Sequence, residues 1–192
     1  MVRWRVVESQ ARTRLLDAAV AHALVNGIAD LSLRELAAAI GTSHRMLLYH
    51  FTSREGLLIA VTDAVEERER LAAYGDDVDL GGFRRTWERV SDPALWPQER
   101  LFFELYSLAL LGRPGTEGFL DRAVEAWLAP AVTLLVADGA DPVRARAEAR
   151  LALAVVRGLL LDLLATGDRE GVDLAFDRFL DLAAGSGGPD PA

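Results

Sequence analysis

The 192-residue sequence predicts an all-α fold of about nine helices. Apolar residues recur at the three- and four-residue intervals of amphipathic helices along most of the chain. No run alternates polar and β-branched apolar residues as a strand does, and no Asn-Gly or Asp-Gly turn joins two such runs. Serine, threonine and aspartate at N-cap positions, with glycine or proline at the breaks, divide the chain into these helices.

Four helices are expected in the N-terminal part, over about 7–26, 32–40, 43–49 and 53–74. Gly27 and Gly41 end the first two. The capping boxes Ser32–Glu35 and Thr52–Glu55 open the second and fourth, because in each the hydroxyl and the glutamate satisfy free backbone amides. Five further helices are expected near 83–91, 94–112, 117–138, 142–166 and 171–184.

Composition limits the class of protein. Apolar residues make up 51% of the chain, which excludes a wholly disordered protein, and the absence of cysteine excludes disulfides and thiolate metal sites. The N-terminus has no signal-like apolar segment, and the longest apolar run, residues 151–165, is too short to span a bilayer. We therefore expect a soluble, cytoplasmic protein that has no membrane partner and no cofactor or metal.

The second and third helices have the spacing of a helix-turn-helix. Ala37 is small where the helices cross, Gly41 permits a positive φ in the turn, and Leu47 reaches the core formed with Leu36 and Ile40. The second helix of such a pair enters the major groove of DNA. An ordinary helical hairpin in a bundle would explain the same three residues equally well.

Polar residues at the start of the third helix favour DNA binding over a plain hairpin, because helix N-terminal residues reach base edges. Residues 1–55 also carry seven arginines and five acidic residues, whereas the rest of the chain carries fourteen arginines and twenty-four acidic residues. This asymmetry favours an N-terminal segment that binds a polyanion. Leu47 and Leu48 are expected to face inward. Arg3 and Arg5 could form a basic arm on the DNA, but a solvated tail explains them as well. The candidate DNA-binding residues are Ser32, Arg34, Thr42, Ser43, His44, Arg45, Met46, Tyr49, His50 and Arg54.

Residues 12–61 resemble the N-terminal domain of TetR-family transcriptional repressors. The matching motifs are Leu16-Asp17-Ala18-Ala19, Gly27, Ser32, Gly41-Thr42-Ser43, His50-Phe51 and Ser53–Leu58. Leu48, Arg54 and Ala23 depart from it, standing where the family has an aromatic residue, a lysine and a phenylalanine. The resemblance implies a homodimer that binds a palindromic operator on double-stranded DNA and is released by a small-molecule effector.

On this basis we expect a helix-turn-helix domain over 1–55, a helical effector-binding and dimerisation domain over 56–184, and a flexible tail over 185–192. Residues 151–165 are apolar on every face, which predicts burial inside the fold or between subunits. Arg157 of one chain could meet Asp162 of the other across a two-fold axis, or each could meet a different partner within its own subunit. The expected dimer contacts are Leu151, Val155, Arg157, Gly158, Leu159, Asp162, Phe176 and Phe179.

A largely apolar effector is expected among aromatic residues near the helix over 101–111, with Glu104 as a polar contact. The candidate pocket residues are Trp87, Trp96, Phe103, Glu104, Tyr106 and Trp127. Core packing explains each aromatic residue as well.

Two other classes of function stay open at this point. A helical protein-interaction module with an incidental helix-turn-helix would show no preference among DNA sequences. A cofactor-free enzyme is disfavoured, because the chain has only three histidines and neither a His-Glu-x-x-His, a P-loop nor a Gly-x-Ser-x-Gly motif.

Overall fold

The computed structural model describes residues 2–28, 32–74 and 82–185, and these contain nine α-helices and no strand. The all-α prediction is confirmed. The helices are α1 (Val2–Asn26), α2 (Leu33–Ala39), α3 (His44–Phe51), α4 (Arg54–Tyr74), α5 (Gly82–Val90), α6 (Trp96–Leu110), α7 (Phe119–Ala137), α8 (Pro142–Thr166) and α9 (Arg169–Gly185). In these ranges no helix combines the length and apolar character needed to cross a membrane.

The helix ends follow the caps that the sequence predicts, with two corrections. The helix α1 begins at Val2 rather than near residue 7. The hydroxyl that caps α4 is that of Ser53, whose Oγ accepts a hydrogen bond from Gly56 N at 3.0 Å. Thr52 instead ends α3 with a φ of +69°, so the predicted capping box is displaced by one residue.

The described residues of Met1–Gly75 and Pro97–Glu125 form one compact unit. Within it α2 packs on α3, and both α1 and α3 pack on α4. Its fully buried side chains come from six helices and include Ala19, Leu36, Leu47, Val61, Leu105 and Phe119. The helix-turn-helix therefore shares its core with α4, α6 and the first turns of α7.

The described residues of Asp76–Trp96 and Ala126–Ala192 form a second unit. Here α8 packs on α9, and the Trp87 ring of α5 stacks on Phe176 of α9, with centroids 5.0 Å apart. Asp173 accepts a hydrogen bond from Trp87 Nε1 at 2.8 Å and from Arg169 Nε at 2.6 Å. Arg169 Nη1 also donates to Ser91 O at 3.1 Å, so this network fixes the end of α5 to α9.

Two expectations fall outside the described part of the chain. The backbone of Arg3 and Arg5 belongs to α1, but their side chains lie outside what the structure describes. The predicted tail does so as well, from residue 186 onward.

Candidate nucleic-acid interface

The turn between α2 and α3 places three residues as the sequence predicts. Ala37 is buried at the helix crossing, and Gly41 has a φ of +70°, a conformation that costs glycine little. Thr42 N donates to Ala37 O at 2.9 Å, which closes the turn. Leu36 and Leu47 are both fully buried and α2 packs on α3, as the helix-turn-helix prediction requires.

The helix α3 buries one side and exposes the other. Leu47 and Phe51, four residues apart, are buried on the same face. Arg45 is exposed, and so are Met46 and Tyr49, the latter with 64% of its surface accessible. The prediction that Leu48 faces inward is wrong: it is 38% exposed, because one residue turns a helix by about 100° and carries it off the buried face.

The predicted DNA-binding residues differ in what they are free to contact. Ser32 and Ser43 are helix N-caps, and each Oγ accepts a backbone N–H at 3.2 Å, from Glu35 and Met46 respectively. The exposed members of the set are Arg34, Ser43, Arg45, Met46 and Tyr49, and the half-buried ones are Ser32, Thr42, His44, His50 and Arg54. The side chains available for base edges are therefore concentrated on α3.

His50 lies at the boundary between the buried and exposed sides of α3. Its ring meets that of Tyr49 edge to face with centroids 4.9 Å apart. Its Nε2 is buried and has no hydrogen-bond partner among the described residues. The side chain therefore retains an unused donor or acceptor position.

The junction between α3 and α4 is tight. A Cβ added at Gly56 would lie 2.1 Å from the carbonyl oxygen of Phe51, so only glycine fits there. The guanidinium of Arg12 lies 5.1 Å from the centre of the Phe51 ring, which attaches α1 to the end of α3 by a cation–π contact. These contacts fix the angle at which α3 leaves the core.

The first turn of α4 also carries a charge that depends on pH. Hydrogen bonds from the Glu55 backbone N–H and from Ser53 hold the pKa of the Glu55 carboxyl below its ordinary value of 4.5. Because the pKa is lower in the folded state, Glu55 contributes stability above pH 4.5, and this contribution disappears as the pH falls through the folded-state value. We expect Glu55→Gln to lower the urea midpoint at pH 7, and the difference from the wild type to shrink as the pH is lowered below 4.5. A difference that does not change with pH would contradict this origin.

Residues of α6 and of the loop after it support the helix-turn-helix from behind. Glu104 Oε1 accepts a hydrogen bond from Ile28 N at 2.8 Å, in the segment that leads from α1 to α2. A Cβ at Gly115 would lie 2.8 Å from Glu55 O, so the loop after α6 lies directly against the first turn of α4. The sequence motifs gave no sign of either contact.

Comparison with known proteins agrees with this geometry. Residues 15–61 match the model of the bacterial regulatory proteins of the tetR family. Among solved structures, the multidrug binding protein EbrR in complex with imidazole is 29% identical, with a TM-score of 0.63 over 95% of this chain and 92% of that one. Residues 15–61 therefore carry the sequence of a tetR-family regulatory domain, and the chain as a whole shares the fold of TetR-like structures.

Two further TetR-like structures share the fold over nearly the whole chain. A putative TetR-family regulator from Rhodococcus sp. is 24% identical, with a TM-score of 0.68 over 88% of this chain and 97% of that one. A putative transcriptional regulator from Saccharomonospora viridis in complex with choline is 18% identical, with a TM-score of 0.68 over 90% and 96%. Comparison with curated protein sequences found no match.

The candidate effector residues divide between the two units. Phe103 and Tyr106 pack against the core of the first unit, where Glu104 binds the Ile28 amide. Trp87 is buried in the second unit, where Trp96 Nε1 also donates to Ser91 O at 3.3 Å; Trp127 belongs to the same unit and is half-buried. Within the described residues, no three His, Asp or Glu side chains are grouped as metal ligands would be.

The candidate dimer residues are also of two kinds. Phe176 is fully buried in its own chain by Phe83 and Trp87, so it is removed from the expected interface. On α8 the exposed members of the set are Leu151, Gly158 and Asp162, and the half-buried ones are Val155, Arg157 and Leu159; Phe179 of α9 is half-buried as well. Arg157 already has an interaction within its own chain.

Proposed function

We propose that this chain is a TetR-family repressor that binds a palindromic operator as a homodimer and is released by a small-molecule effector. The observation that carries the proposal is the exposed face of α3, where Arg45 projects opposite the buried Leu47 and Phe51. Arginine on such a helix pairs bidentately with the O6 and N7 atoms of guanine. Two such helices in a dimer would read half-sites about 34–36 Å apart on one face of the duplex.

The role of Arg45 is tested by Arg45→Ala on an operator selected from random duplex DNA. One bidentate contact gives about 1–3 kcal/mol of discrimination between bases. Over two half-sites the variant should therefore lose about 2–6 kcal/mol of binding free energy for the operator, measured by fluorescence anisotropy. Arg89→Ala, which removes an exposed arginine of α5, is the matched control and should bind as the wild type does. An equal loss on operator and unrelated duplex would show that Arg45 contacts phosphates rather than bases.

The homodimer is supported by leucines of α8 and α9 that stay more than half exposed in the single chain. Leu151 and Leu161 are 58% and 52% exposed, and Leu174 and Leu182 of α9 are exposed to a similar degree. Exposed leucines on two helices that pack on each other supply apolar surface of the kind that marks interfaces. A Cβ at Gly158 would meet nothing within 4 Å, so this position leaves room for a second helix.

Sedimentation equilibrium tests the dimer. We expect the wild type to be dimeric at micromolar concentration and Leu161→Arg to be monomeric with unchanged helix content, because a charge at this interface is costly to bury. Leu110→Arg changes a leucine on α6 that is still more exposed, and this variant should remain dimeric. A monomeric wild type would remove this part of the proposal.

The proposed effector is a small organic molecule. Choline in the Saccharomonospora viridis structure and imidazole in EbrR support a small organic effector here as well. A ligand that favours one arrangement of the DNA-binding units weakens operator binding by a population shift. The test is a screen for compounds that raise the Tm of the full chain and release it from the selected operator. A compound that does only the first is not the effector.

A further inference from the structure

The exposed face of α3 is largely apolar, although it is the face that the proposed function places against DNA. With about 100° per residue, the exposed side chains follow one another around the helix as Leu48, Arg45, Tyr49 and Met46, over an arc of about 160°. Met46 and Leu48 are 40% and 38% exposed. Arg45 therefore has Leu48 on one side, and Tyr49 followed by Met46 on the other.

A lone exposed apolar residue is ordinary on a protein surface, but two of them beside a base-reading arginine have a specific chemical complement. In the major groove the C5 methyl of thymine is the apolar group that base edges present. Against any other edge, an apolar side chain would displace water from a donor or acceptor without replacing its hydrogen bond. Met46 and Leu48 therefore favour thymine both by contact and by exclusion of the other bases.

We propose that Met46 and Leu48 are specificity-determining residues that contact thymine methyl groups on either side of the base read by Arg45. This inference rests on the proposed function and deepens it, because it names the bases of the half-site. The two exposed side chains contribute nothing to the buried core of the unit, so their role can be tested without unfolding the protein.

The test uses the full chain and an operator obtained by selection from random duplex DNA. Each thymine of the half-site is replaced in turn by deoxyuridine, which removes the methyl group and leaves the hydrogen-bonding groups in place. At two positions we expect the wild type to bind about fourfold more weakly per methyl lost, and about fifteenfold when both half-sites are changed.

The variants then assign each methyl to a side chain. Met46→Ala should lose sensitivity to deoxyuridine at one position and Leu48→Ala at the other, while Arg45→Ala stays sensitive at both. Met46→Leu, which keeps an apolar side chain of similar size, should restore the sensitivity lost in Met46→Ala. Circular dichroism of each variant should match the wild type.

Two negative results have different meanings. An enriched operator whose thymines all tolerate deoxyuridine would overturn the roles of Met46 and Leu48 while the proposed function stands. No enriched sequence at all would overturn the proposed function, and this inference with it.

Discussion

A Leu47→Ala variant is expected to lose about 2–5 kcal/mol of the free energy of unfolding of the first unit. Leu47 is fully buried in the core that α3 shares with α2 and α4, and the missing methyl groups would leave a cavity that the surrounding helices only partly fill. Because the same side chain seats α3, operator affinity should fall together with stability. Urea unfolding followed by circular dichroism measures the first effect, and fluorescence anisotropy the second.

The chain supplies its own matched control for this prediction. Leu48→Ala removes the same atoms from the next residue of the same helix, but from a side chain that is exposed. Its unfolding free energy should change by less than about 1 kcal/mol. Equal destabilisation by the two variants would show that the buried face of α3 has been assigned wrongly.

A Trp87→Ala variant should lose about 3–5 kcal/mol of unfolding free energy in the second unit. The indole is buried, stacks on Phe176 and donates a hydrogen bond to Asp173, so alanine removes both a large apolar contact and a hydrogen-bond donor. Urea unfolding followed by circular dichroism measures this loss of unfolding free energy.

Trp87→Phe separates the two contributions. Phenylalanine keeps a ring that can stack on Phe176 but cannot donate to Asp173, so it should lose about 1–3 kcal/mol, less than alanine does. If Trp87→Phe is as unstable as Trp87→Ala, the hydrogen bond rather than the stacking dominates at this position.

The features that the sequence predicts best are those that depend on neighbouring residues. The sequence predicts that Ser32 and Ser43 begin helices. In each case the serine Oγ accepts a hydrogen bond from the backbone N–H three residues later. The break at Gly41 follows in the same way from the ease with which glycine adopts a positive φ. Caps and turns of this kind depend only on residues that are close together in the sequence.

Contacts between distant residues could not be predicted in the same way. Glu104 stands among apolar residues and was expected to hold a ligand, yet its partner is the amide of Ile28, seventy-six positions earlier. Only the packing of α6 behind α1 creates that pair, and no sequence spacing encodes it. Nor could an apolar stripe on α9 tell whether Phe176 is covered by its own chain or by a second copy.

The shared core of the first unit has a consequence for protein engineering. Residues 1–55 cannot be excised as a portable module, because the side chains that fill the space behind α3 include Val61 of α4, Leu105 of α6 and Phe119 of α7. A chimera that joins this DNA-binding segment to another sensor domain must also include residues 56–74 and 97–125. Otherwise the backbone N–H of Ile28 loses its hydrogen-bond acceptor, Glu104, and the buried side of the transferred helices would be exposed to solvent.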